Sequence, residues 1–139
     1  MPLPADLEVG TSVQVTKTIG ESDIYLFAGI TGDLHPNHVD EHYMAAGRYG
    51  GRVAHGVLLM GFMSAASSKL LLDHGLDGVS YGYDRVRFVA PAHIGDTVTT
   101  TYTIEELVPD RDQSRAKLEV ARADGEIVAV ATHILKFIR

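Results

Sequence analysis

The stretch GVLLMGFMSAASSKLLLDH, residues 56–74, decides the fold. Val57, Leu58, Leu59, Met60, Phe62, Met63, Ala65 and Ala66 cover nearly every face of a helix. A helix apolar all round belongs in an interior. Ser64, Ser67, Ser68 and Lys69 are its main polar interruptions, and Gly75 supplies a C-terminal stop. At 1.5 Å per residue such a helix is ~27 Å long. Something must wrap it, and the flanking sequence shows what.

Downstream the apolar periodicity changes from helical to two. Residues 79–89, 96–108, 114–123 and 127–138 read as strands. The threonine and valine run at 97–103 suits an extended chain. Ala123-Asp124-Gly125-Glu126 carries an Asp-Gly hairpin signal, and residues 91–95 and 109–113 are further turns. Strands in series predict antiparallel meander pairing. Upstream, residues 12–18 alternate as a strand, with Val13 and Val15 on one face. Ser22 is a candidate N-cap for a short helix carrying Ile24, Phe27 and Ala28, which Gly29 and Gly32 end. Residues 32–36 form a loop by composition, and residues 39–46 suit a second short helix. The order predicts an α+β domain over residues 1–139, an antiparallel sheet wrapped around one long buried helix. That arrangement is the hot-dog fold.

The chain of 139 residues is 45% hydrophobic and 22% charged, a globular composition able to bury a core. It has no cysteine, which excludes disulfides, thiolate metal sites and a cysteine nucleophile. A cysteine-free chain is compatible with the cytoplasm, the expected location. A net charge of −6 speaks against a nucleic-acid partner, which calls for a basic face. The first ten residues show neither a basic segment nor an apolar one, so no signal peptide is expected. The apolar run at 57–63 is too short to cross a bilayer, and no membrane association is expected.

The densest polar cluster is Thr31-Gly32-Asp33-Leu34-His35-Pro36-Asn37-His38-Val39-Asp40. A carboxylate and an imidazole stand five residues apart, with a glycine and a proline shaping the loop between them. Such a pair can surround one water. Histidine titrates near neutrality, and an apolar setting raises an aspartate toward it. Asp33 is favoured as the base. Gly56 opens the long helix, whose first N–H groups lack intrahelical partners. One of them can hold charge developing on a carbonyl oxygen, and glycine admits a close ligand.

Taken alone, Asp33 reads as a loop aspartate in an Asx turn and His38 as a surface histidine. His35, His38, Asp40 and His42 invite a metal reading, but their His-x-x-His-x-Asp-x-His spacing does not match the His-x-His-x-Asp-His run of metallo-β-lactamase-type hydrolases, and no metal is expected. Asp40 and His42 fit a solvated helix start. His55 fits a packed or capping role, and His133 a structural one. Ser64 either back-bonds to the preceding turn or orients a site. Arg48, Arg52, Arg85 and Arg87 are surface residues by default, and guanidinium groups also suit phosphates.

The segment 27–40 resembles the signature of MaoC-like (R)-specific enoyl-CoA hydratases, roughly an aromatic followed by Gly-Asp-x-Asn-Pro-x-His-x-Asp. Val53-Ala54-His55-Gly56-Val57-Leu58 resembles that family's second stretch, at the start of the hot-dog helix. Residues 83–96, with Val86-Arg87-Phe88, Pro91 and Gly95-Asp96, resemble the strand and turn that follow. The similarity spans about residues 10–138.

It implies Asp33 and His38 as the catalytic pair, the Gly56 amide as oxyanion donor and Ser64 as a site-orienting residue. It implies a hydro-lyase that adds water to a trans-2-enoyl-CoA, or removes it in reverse, with a coenzyme A thioester as substrate and no cofactor. It also implies a homodimer or a dimer of dimers. Phosphate contacts would fall to Arg48, Arg52 and Arg87. His35 departs from the family's usual Asn, at a position that shapes the loop together with Pro36. Two rivals share the fold: an acyl-CoA thioesterase, which the Gly-Asp-x-x-Pro-x-His spacing opposes, and a non-catalytic acyl-thioester-binding module, which an intact Asp33–His38 pair opposes.

Overall fold

A computed structural model describes residues 3–4 and 7–138. The first and last residues of the expected domain, and part of the segment read for a signal peptide, lie outside the described residues. Five strands form one antiparallel sheet: β1 (Ser12–Thr18), β2 (Asp77–Phe88), β3 (Thr97–Val108), β4 (Gln113–Arg122) and β5 (Ile127–Ile138). Four helices lie between β1 and β2: α1 (Glu21–Thr31), α2 (Pro36–Val39), α3 (Glu41–Ala45) and α4 (Gly56–Asp73). This is the expected α+β arrangement, a sheet curled around one long helix.

The sheet order β1-β3-β4-β5-β2 corrects the simple meander. Only β3, β4 and β5 follow one another as hairpins. β2 pairs with β5, and β1 pairs with β3, so the strands that flank α4 in sequence sit at opposite edges. The helix therefore has to cross the whole sheet, and it packs against every strand.

Alternation assigns the faces. Along β3, Val98, Thr100, Tyr102 and Ile104 point inward and are buried. The residues between them pair outward with β1 through side chains: Ser12 with Thr103, Gln14 with Thr101, Thr16 with Thr99 and Thr18 with Thr97. Cross-strand hydroxyl pairs of this kind each contribute roughly 0.2–1 kcal/mol. Leu59, Met63, Ala66 and Leu70 form the buried stripe of α4, meeting Leu118, Val120, Ala129 and Leu135 of the sheet. Complete burial of a side chain such as Leu70 stabilises the fold by ~1.5–3 kcal/mol.

The all-round burial expected of α4 is not what this chain provides. Val57 is 57% exposed and Leu72 80%, and Gly61, Ser64, Ala65 and Ser68 are open as well. The sheet covers one side of the helix and leaves the other free. Its 18 residues, of mean hydropathy 1.3, are long and apolar enough to span a bilayer, unlike the shorter run at 57–63; here the helix lies on the sheet instead.

Two local expectations are refined. Gly20, not Ser22, caps α1, because the Asp23 carboxylate reaches back to accept from the Gly20 N–H at 2.8 Å. The short helix expected at 39–46 is two separate turns. Asp40 divides them, capping α3 by accepting from the Tyr43 N–H at 2.9 Å.

Candidate active site

The site grows from the end of α1. Gly32 adopts a left-handed φ of 80° and donates its N–H to the Ala28 carbonyl, closing the helix. The Thr31 hydroxyl bonds back to the Phe27 carbonyl and accepts from the Asp33 N–H. Asp33 is thus set just beyond the cap. His35 takes the N-cap of α2, its Nδ1 accepting from the Asn37 N–H at 3.2 Å, and Pro36 opens the turn. This is capping work of the kind an asparagine side chain performs there.

α2 places His38 inward, 8% exposed. His38 Nδ1 lies 2.7 Å from the Val53 carbonyl oxygen. A carbonyl only accepts, so Nδ1 carries the hydrogen, and Nε2 of the neutral ring is a free lone pair. Burial holds the His38 pKa below the ordinary histidine value. The Val53 carbonyl and the Asp33 carboxylate oppose that effect, while His55 and His35 add to it. In return, the Val53 N–H bonds to the Asn37 carbonyl, which ties α2 to the segment before α4.

His55, the N-cap residue of α4, is 2% exposed. Its ring stacks on that of His38, centroids 3.7 Å apart and planes 22° from parallel. Ligating atoms of Asp33, His38 and His55 all fall within 4.8 Å of one another. In-plane lone pairs on two nearly parallel stacked rings do not converge on one point, so a metal fits this trio poorly and an acid–base role fits it better. The apolar shield expected around Asp33 is not supplied by this chain, in which Asp33 is exposed.

A cavity of about 480 Å³, within the usual range for ligand sites, adjoins His38, and Asp33 does not line it. His38, Gly56, Leu59 and Phe88 line it, and Arg48 and Tyr49 contribute a polar side. Gly56 is the first residue of α4, so its N–H has no acceptor within the helix. His38 and Gly56 are therefore brought to one cavity, with Asp33 beside His38.

The remaining residues fall elsewhere. Ser64 is exposed, eight residues or ~12 Å farther along the helix, against the Tyr83 hydroxyl, and it does not line the cavity. Arg52 is enclosed by Glu21, Glu41 and Tyr25, with both carboxylates ion-paired to its guanidinium. A phosphate would have to displace them. Arg87 is exposed and bonds the Val86 carbonyl. The sequence reading placed His55 among packed residues but missed its face-to-face contact with His38. It quoted Phe88 in the third resembling stretch but gave it no place at the site, where its ring lies on Gly56. The one local signal was the adjacency of His55 and Gly56.

Residues 5–129 match the MaoC like domain model, and the chain belongs to that family. It is similar to an (R)-specific enoyl-CoA hydratase of Rhodospirillum rubrum, 44% identical over 76% of this chain and 72% of that one. It is also similar to a 3-hydroxybutyryl-CoA dehydratase of Methylorubrum extorquens, 39% identical over 79% of this chain and 68% of that one. Among solved structures, the R-hydratase PhaJ1 of Pseudomonas aeruginosa superposes with a TM-score of 0.87 at 31% identity, covering 98% of this chain and 86% of that one. The fold, five antiparallel strands around a long helix, is the hot-dog fold of these R-hydratases.

Proposed function

We propose that this chain is a hydratase/dehydratase that adds water across the C2–C3 double bond of a trans-2-enoyl-CoA to give the (R)-3-hydroxyacyl-CoA, and runs the same steps in reverse. The observation that carries the proposal is His38, whose Nδ1 hydrogen bond to Val53 leaves Nε2 a lone pair, standing near the Asp33 carboxylate and lining one cavity with Gly56 at the start of α4. The names of the relatives support the reaction class and the (R) outcome.

The thioester carbonyl accepts from the Gly56 N–H, which draws electrons from C3. A water donates one hydrogen to Asp33 and the other to His38 Nε2, leaving a lone pair toward C3. As the C3–O bond forms, the water's O–H bond to Nε2 breaks and Nε2 takes the proton. Negative charge collects on the thioester oxygen, where a backbone donor is typically worth ~3 kcal/mol. The imidazolium, steadied by Asp33, then returns that proton to C2. His38 rather than Asp33 is the base in this scheme, because the hydrogen on Nδ1 leaves its Nε2 a lone pair at rest. No metal or redox cofactor takes part. Arg48 is assigned to a coenzyme A phosphate.

Two copies are proposed to pair along β2, an edge strand whose Val79, Tyr81 and Phe88 are 48%, 68% and 49% exposed. Pairing there would cover an open edge and the bare side of α4. The absence of cysteine suits a cytoplasmic setting.

The test is hydration of crotonyl-CoA, followed by loss of the enoyl-thioester absorbance while free thiol is monitored, with Asp33→Asn and His38→Gln alongside. Absorbance loss without thiol, abolished by both substitutions, is expected. Thiol release would point to a thioesterase. Binding without turnover, across short and long enoyl-CoAs, would point to a carrier of acyl thioesters.

A further inference from the structure

His55 is a buried histidine to which the mechanism above gives no task. Its Nε2 lies 3.0 Å from the Asp33 carbonyl oxygen, which can only accept, so Nε2 carries the hydrogen. Its Nδ1 is buried and has no hydrogen-bond partner among the described residues, so a hydrogen placed there would go unsatisfied. Both observations select the same tautomer. The ring lies face to face with His38 at 3.7 Å, and Phe27 closes on it at 4.7 Å, tilted by 52°. One side chain thus grips the backbone of Asp33 and the face of His38 together.

We infer that His55 is a positioning residue, which fixes the spacing of the Asp33 carboxylate and the His38 imidazole through its hydrogen bond to the one and its stack on the other. The inference rests on the hydration reading, in which a single water must bridge both groups. A displacement of about 1 Å in such an arrangement can cost ~100-fold in rate. An ordinary packed histidine would need neither contact. Asp33, His35 and His55 are also the titratable groups that face His38, so a moved or absent His55 ring alters the setting in which His38 takes up its proton.

Two substitutions separate the two contacts. His55→Phe keeps an aromatic face and removes the N–H; His55→Gln keeps an N–H and removes the face. Each is expected to lower kcat for crotonyl-CoA about 10- to 100-fold, with KM within about twofold, and to move the acid limb of the kcat–pH profile. A fall in melting temperature with kcat and the acid limb unchanged would reduce His55 to packing and overturn the inference. Should neither variant fold, the imidazole nitrogen resonances of the unaltered protein decide: hydrogen on Nε2 of His55 is expected, and hydrogen on Nδ1 overturns it. Asp33→Asn and His38→Gln are run in parallel. If they retain activity, the hydration reading itself fails; if they lose it while both His55 variants match the unaltered protein, only the positioning role fails.

Discussion

The Phe88 ring occupies the space in which a side chain at Gly56 would begin. A Cβ built on Gly56 would stand 2.8, 2.9 and 3.0 Å from Phe88 Cδ2, Cγ and Cδ1, the root of the ring rather than its movable tip. Glycine is thus demanded by the wall of the cavity itself. Gly56→Ala is expected to destabilise the fold by ~1–3 kcal/mol in urea unfolding, a cost typical of overpacking. It is also expected to reduce hydration, because the displaced ring lines the cavity. Adding Phe88→Ala should relieve part of the strain, so the double variant loses less stability than the two single losses combined.

Activity should persist to acid pH. The His38 pKa lies below the ordinary 6.5, chiefly through burial, so the neutral, proton-accepting form survives below that value. The acid limb of kcat is expected under pH 6.5, with activity falling as pH drops through it. The Asp33 carboxylate acts in the opposite sense on His38. Asp33→Asn should therefore push the His38 titration, followed by NMR, still lower. It should cost roughly 10²–10⁴ in kcat if the pair works as proposed.

Arg48 and Arg52 should part company. Arg48 lines the cavity, its guanidinium 5.8 Å from the Tyr49 ring centre. Arg48→Ala is expected to raise KM for crotonyl-CoA about fivefold, the equivalent of ~1 kcal/mol, with kcat unchanged. Arg52 instead ties α1 to α3 through Glu21 and Glu41. Arg52→Ala should lower the melting temperature and leave KM near its original value, and Arg52→Lys should not restore the loss, because lysine lacks the fork that engages both carboxylates.

A second histidine governs stability rather than chemistry. His133 is wholly buried on β5, with Nδ1 2.8 Å from the Tyr102 hydroxyl and Nε2 2.8 Å from Ser80 Oγ. Burial pushes its pKa down to about 4. Between that value and 6.5 the unfolded chain binds a proton that the folded chain refuses, so stability is complete above 6.5 and drains away as pH falls toward 4. The loss amounts to ~3 kcal/mol at the lower end. Urea unfolding across this range should show it, and His133→Asn should flatten the dependence.

The proposed pairing along β2 predicts a dimer by light scattering at micromolar concentration. Tyr81→Lys, a charge on the exposed edge strand, should shift it toward monomer while the far-UV spectrum stays unchanged. A monomer before substitution would remove that part of the proposal.

Much of this was readable in the residues. Alternation marked β1 and β5 at their observed limits, and Gly32 ended α1 as expected. Strand order was not readable, because alternation tells which face a side chain takes and not which strand lies beside it. Four- and five-residue turns such as α2 and α3 are too short to show a period. Composition made α4 apolar all round, but the sheet has only one face to offer it. At the site, the spacing of Asp33 and His38 was visible in a single loop. The stack of His38 on His55 and the seat of Phe88 on Gly56 join segments distant in sequence, and only the folded chain unites them.

The proposed catalytic pair sits in the loop after α1 and on α2, and these two helices, with α3, lean on one another and on the stretch before α4, outside the hydrogen-bonded ladder of the sheet. Such a segment can open while the strands stay zipped. Heat should therefore silence the enzyme before it melts it: inactivation precedes loss of strand structure, and amides of residues 21–45 exchange with solvent faster than those of β3, β4 and β5. The working life of the protein is then set by the clasp of a few short helices, and its shelf life by the sheet.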